Sequence, residues 1–167
     1  MIVANDLKIL LSGGVGNANP NASLGGAVSS TELVNASLNN LFDTVVGQES
    51  QDGDTEYRAI YVKNNHATLT LINPVIYIDT NTTSPTTSLE ISVATETGSP
   101  IQSLPNENTA PSGQTFVTAD GQGNAISLGG DIAPGIVKAI WFKWIVGAGT
   151  TAIIDEASIK VRGETNP

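Results

Sequence analysis

The chain contains no cysteine. Disulfides, thiolate metal ligands and cysteine nucleophiles are excluded together, and folding is compatible with a reducing compartment. Positive charge is scarce: 7 Lys and Arg stand against 16 Asp and Glu, giving a net charge of −9. Lys8, Arg58, Lys63, Lys138, Lys143, Lys160 and Arg162 are scattered singly. Affinity for nucleic acid and for anionic membranes comes largely from clustered basic side chains, so this distribution argues against both partners. Histidine occurs once, as His66 in "NNHAT", a predicted hairpin turn. With no Gly-x-Ser-x-Gly elbow it completes no recognisable catalytic triad. Aromatic residues make up only 5% of the chain, leaving Trp141 as the one candidate for a sugar-stacking platform.

Long apolar runs are lacking as well. The most apolar segment, "AIWFKWIVGAG", is too short to cross a bilayer and carries Lys143 in its middle. The N-terminal "MIVANDLKILL" has no basic region ahead of a long apolar stretch, so no cleaved signal peptide is expected. Charged residues account for 14% of the chain, well below the usual quarter. Gly, Asn, Ser and Thr take their place, a composition that suits sheets and turns.

Strand patterns dominate from residue 55 onward. "TEYRAIYVKN" (55–64) is rich in aromatic and β-branched residues and runs into an Asn-Asn turn signal. "ATLTLINPVIYIDT" (67–80) is interrupted at Asn73-Pro74, which predicts an edge position or a bulge. In "SLEISVATE" (88–96), Leu89, Ile91 and Val93 alternate with Glu90 and Ser92, the period of a half-buried strand. A short "QTFVT" strand, "AISLGG", "IVKAIWFKWIV" (136–146) and "AIIDEASIKVRGE" (152–164) follow. Ahead of them, "LKILL" reads as a strand, 31–38 as a helical turn or coil, and "LFDTVV" as a further strand. With no convincing amphipathic helix, the pattern predicts an all-β antiparallel sandwich. Strand 136–146 is apolar on both faces: Ile140, Phe142, Trp144 and Val146 on one, Val137, Ala139, Trp141 and Ile145 on the other. Its second face is either covered by the chain's own N-terminal part or left as an aromatic patch for another subunit.

Two stretches invite chemistry. "SGGVGNANP" has the glycines of a phosphate loop, but no Gly-Lys-Ser/Thr follows and no helix starts within reach. "ESQDGDTE" gathers Glu49, Asp52, Asp54 and Glu56, yet lacks the later glycine and terminal glutamate of an EF-hand. A plain Asp-Gly turn is the simpler reading, with calcium on Asp52, Asp54 and Glu56 left open. No catalytic residue, metal or cofactor is expected, and the chain reads as a non-enzyme.

The order of segments, "LLSGG" with "NPNASLGGAVSST", then "NNLFDTVVGQES", "EYRAIYVKNNHATLTL" and "APGIVKAIWFKW", resembles a family of small virion structural proteins of tailed bacteriophages. The part from "EYRAIYVKNNH" onward also resembles Ig-like or fibronectin-like modules, through its V-x-N turn and the Pro-Gly before a late strand. The resemblance implies a structural role in the virion and leaves its place there open. The net charge of −9 favours the outside, so a capsid decoration or cement protein on the outer surface of the head is expected, made in the host cytoplasm, binding the major capsid protein and itself a homo-oligomer such as a trimer. The alternatives are a tail, neck or baseplate accessory protein, or a carbohydrate-binding or adhesion module. Residues 1–40 are then an extended N-terminal arm and 41–167 the sandwich. Ordering a Gly-rich segment costs about 1–2 kcal/mol per residue of backbone entropy, so the arm is expected to order on a neighbour. Gly13, Gly14, Gly16, Asn19, Pro20, Gly25, Gly26 and Trp141 are the expected partner interface.

Overall fold

Asp54–Asn64 alternate Glu56, Arg58, Ile60 and Val62 on one face with Tyr57, Ala59 and Tyr61 on the other, and every one of these side chains is buried. A strand buried on both faces must lie inside a sheet that is itself covered on both sides. A computed structural model, describing residues 1–149 and 155–165, shows how this is done. The strands are β1 (Leu7–Leu11), β2 (Gly25–Gly26), β3 (Asp54–Asn64), β4 (Leu71–Thr80), β5 (Thr87–Val93), β6 (Ile101–Ser103), β7 (Ile126–Ser127), β8 (Val137–Val146) and β9 (Ser158–Thr165). They form a four-stranded sheet in the order β1-β3-β8-β5, a three-stranded sheet β7-β4-β9 and the pair β2-β6, all antiparallel.

Register decides which side chains meet. Ile60 faces Ile140 and Ile91 faces Phe142, while Leu89 and Glu56 both face Trp144 from opposite sides. This face packs on Leu71, Ile76 and Ile78 of β4, with Leu128 and Ile132 filling in, to make the main core. Each such side chain contributes about 1.5–3 kcal/mol on full burial. The opposite face, with Ala59, Tyr61, Ala139 and Trp141, has its own core under Ile101, Leu10, Val28, Leu104 and Phe116. Antiparallel sheets packed together are therefore the architecture, as the alternation predicts.

Pro74 sits where a bulge was one of two expectations. β4 is paired on both sides, and its register against β9 shifts between Ile72 and Val75. Asn73 takes φ +48° and donates its N–H to Asp131 Oδ1 at 2.9 Å, while Pro74 O accepts from Leu128 N at 2.9 Å. The missing proline N–H thus costs the ladder nothing beyond the bulge.

Four expectations need correction. First, the strand read over 67–80 begins only at Leu71, because His66 Nδ1 accepts from Thr68 N and Leu69 N and closes a turn ahead of it. Second, "LFDTVV" is coil, because Leu41 drops into the main core and Phe42 stacks on Trp144 at 5.5 Å between centroids. A short helix, α1 (Gly47–Asp52), follows, its first turn held by the Val46 N–H donating to Glu49 Oε2 at 2.7 Å. Third, "QTFVT" contributes only a bridge from Val117 to Ile91. Of the last predicted strand, 152–154 lie outside the described residues, and the strand found begins at Ser158.

The fourth correction concerns the arm. Residues 7–33 are laid onto the four-stranded sheet rather than extended from it. β1 pairs with β3 from Leu7↔Asn64 to Leu11↔Ile60. The chain then loops back, and Ser29 N donates to Leu11 O at 2.8 Å and Leu33 N to Ile9 O at 2.8 Å, covering the outer edge of β1. Ala59 N of β3 donates to Ser23 O at 2.8 Å, and Leu104 N to Leu24 O at 2.8 Å. The reason is the bare second face of β8: Trp141 has no exposed surface, and this segment is part of its cover.

Candidate functional site

The residues expected to meet a partner separate into two groups. Gly25, Gly26 and Trp141 come together, but inside the molecule. Gly25 lies over the indole at φ +87°, and a Cβ there would come within 2.7 Å of Trp141 Cη2 and 2.0 Å of Gln102 O. Tyr61 OH donates to Gly26 O at 2.5 Å and accepts from Ile101 N at 3.2 Å, and burial pushes its phenol above the ordinary value. Gly25 N donates to the buried Ser12 Oγ at 3.0 Å. Glycine is needed there because a backbone must lie against a ring. Trp141, fully buried, offers no platform to a sugar or a subunit.

The second group faces outward. Gly14 and Gly16 have open space where a Cβ would be, whereas one on Gly13 would come within 2.4 Å of Ala22 O. Asn19 Oδ1 accepts from Asn21 N at 3.1 Å and caps the short turn Pro20–Ala22. Pro20 and Ala18 join Leu11, Leu33 and Val34 around a shallow apolar depression, whose rim includes Ser37 and Asn39. Val34 is 64% exposed and Leu38 74%. With Leu41, Phe42 and Val45 these two have the i, i+4, i+7, i+8 spacing of a helix, but the segment is turn and coil and leaves them exposed.

The acidic run resolves differently from its spacing. Glu49 holds the start of α1, Asp52 accepts from Gln48 Nε2, and Asp54 accepts from Asn108 Nδ2 at 2.7 Å. Only Glu56 turns inward, where it meets Asp43 and Glu107. Arg58, fully buried on the same face of β3, donates through Nη2 to Glu107 and lies 3.1 Å from Glu56 Oε2. Its Nη1 donates to Tyr57 O at 3.2 Å, and its guanidinium carbon stands 5.6 Å from the Phe42 ring centroid. Burial pushes the Glu56 carboxyl up to about 7; Arg58 opposes this, and Asp43, Glu107 and Asp54 add to it. No sequence motif joins these residues, because Asp43 and Glu107 reach Glu56 only through the fold.

His66 is structural: its Nδ1 accepts from Thr68 N at 3.1 Å and Leu69 N at 3.0 Å, closing the turn before β4. Asp155 gathers Thr83 N at 2.8 Å, Ser84 N at 3.4 Å and the Thr87 hydroxyl. Desolvation pushes its carboxyl up, but these hydrogen bonds together outweigh it and hold the group below its ordinary value. No helix of the described residues is long and apolar enough to cross a membrane. Comparisons with protein-family models, with curated proteins and with solved structures return no match to this chain.

Proposed function

We propose that the protein is a virion structural subunit that binds the outside of a phage head as decoration or cement, with the major capsid protein as its partner. The observation that carries this reading is the exposed pair Val34 and Leu38 beside the apolar depression. An apolar patch amid a polar, weakly charged surface favours contact with another protein over contact with nucleic acid. The net charge of −9 favours a place outside the shell over one facing packaged DNA. The resemblance of segment order to small phage virion proteins points the same way. The docking element is then the outward face of residues 12–40 in its folded form, and not a free arm.

A ligand that binds the assembled lattice and not free subunits stabilises the lattice by mass action. Virions lacking the protein are therefore expected to assemble but to release DNA at lower temperature. Val34→Ser with Leu38→Ser should weaken attachment while leaving the melting temperature of the free protein nearly unchanged. Antibody labelling of intact particles decides location: signal confined to the tail, with a bare head, rejects the capsid reading in favour of a tail, neck or baseplate accessory.

A carbohydrate-binding module is the second reading, favoured by strand order. The order β3-β8-β5 in one sheet, continued by the Val117 bridge, with β4 and β7 paired in the other, is compatible with a jelly roll to which β1 and β9 are added at the edges. Double-sheet jelly rolls occur in both capsid and lectin domains, so this is analogy at the level of fold. The Ig-like or fibronectin-like grouping has in its favour the sequence signals at Val62–Asn64 and Pro134–Gly135, and the order β1-β3-β8-β5 with β4 beside β9 fits its A-B-E-D and C-F pairing as well.

A further inference from the structure

Asp43, Glu56 and Glu107 come from the coil before α1, from β3 and from the connection after β6, and each offers an oxygen within 4.8 Å of the others. Two of the carboxylates also have one oxygen held from behind. Asp43 Oδ2 accepts from Asn21 Nδ2 at 3.3 Å, and Glu107 Oε2 accepts from Arg58 Nη2. Glu56 Oε2 lies 3.1 Å from the same Nη2, but no donor gives it a hydrogen bond among the described residues. Fixing one oxygen of a carboxylate orients the other, as the outer shell of a metal site does.

Glu56 is the second and independent indication. Its side chain is 3% exposed and accepts no hydrogen bond, which is costly for a buried carboxylate. Arg58 cannot supply what is missing: one guanidinium serves two carboxylates and a backbone carbonyl, and its own Nε is buried without a partner. Three acidic groups thus share one positive charge.

We propose that Asp43, Glu56 and Glu107 bind a hard divalent cation of the calcium class. An all-oxygen donor set without cysteine or histidine suits calcium, which takes six to eight oxygens in flexible geometry and completes its shell with water. Such an ion supplies the lacking positive charge. It also ties the coil around Asp43, which carries Leu41 and Phe42 into the core, to β3 and to the connection after β6. None of the three carboxylates belongs to the Val34–Leu38 pair or lines the depression beside it, so the test does not depend on the capsid reading.

The experiment uses the full chain, stripped with EDTA and titrated with CaCl2. The melting temperature should rise saturably, by about 5–10 °C when free CaCl2 reaches about a hundredfold its Kd. Terbium offers a second readout, because Glu56 is the register partner of Trp144: excitation of tryptophan should sensitise terbium emission that excess CaCl2 abolishes. Asp43→Asn and Glu107→Gln should each lose both responses, while Asp52→Asn, in the exposed part of α1, should keep them. No calcium-dependent rise and no displaceable emission in the wild type would overturn the proposal. So would equal responses in the wild type and Asp43→Asn, which would indicate diffuse binding to an acidic surface.

Discussion

Gly25 rests on the ring of Trp141, where a Cβ would lie only 2.7 Å from Cη2. Gly25→Ala must displace the indole or the Gln102 carbonyl, and its φ of +87° is strained for any L side chain. A loss of about 2–4 kcal/mol in urea unfolding is expected, with a red shift of tryptophan emission. Gly16→Ala, which meets nothing and has no positive φ, should change stability by less than about 0.5 kcal/mol. Equal effects would show that the segment does not pack on the sheet.

The Glu56 carboxyl, raised from 4.5 to about 7, sets a pH dependence with a definite sign. Between those values the folded state holds a proton that the unfolded chain releases, so stability falls as pH rises through the window. In cation-free buffer the loss should be on the order of 3 kcal/mol between pH 4.5 and pH 8. Urea midpoints measured across that range test it. Glu56→Gln should flatten the curve, and an unchanged slope in that variant would assign the proton elsewhere.

Asp155 behaves oppositely. Its carboxyl lies below the ordinary value of 3.8, so its contribution is present above that value and lost as pH falls through the folded one. Asp155→Ala removes the acceptor shared by Thr83, Ser84 and Thr87 and should cost about 1–3 kcal/mol at neutral pH. The acid limb of its stability curve should be shallower than that of the wild type.

Asn64 joins the two sheets from a fully buried position. Its Nδ2 donates to Leu69 O and to Ile132 O, both at 2.8 Å, and its Oδ1 accepts from His66 N at 3.0 Å. Asn64→Leu leaves two carbonyls and an N–H without these partners, for an expected loss of about 2–5 kcal/mol. His66→Ala, which removes only the turn acceptor, should cost less. The order of the two melting temperatures checks this.

Period-two alternation is a local property, and the sequence by itself determined where alternation or β-branched runs make strands. "LKILL", 55–64, 88–96 and 136–146 all appear as strands within a few residues of their predicted bounds, and Pro74 marks its bulge. The sequence also determined that β8 is apolar on both faces. What covers the second face was undecidable from spacing, because Gly25 and Trp141 meet only through the return of the chain after β1. Glycine content looked like a reason for disorder, and tertiary structure turned it into a means of close approach. Leu41 and Phe42 were read as a strand because their pattern fits one, but burial at the end of the core wins over propensity. The carboxylate cluster was invisible for the same reason: neighbouring acids along the chain diverge, while Asp43 and Glu107 are brought to Glu56 by strand pairing and loop packing. Local periodicity is written in adjacent residues, whereas sheet order and shared burial are set by which distant surfaces can leave water together.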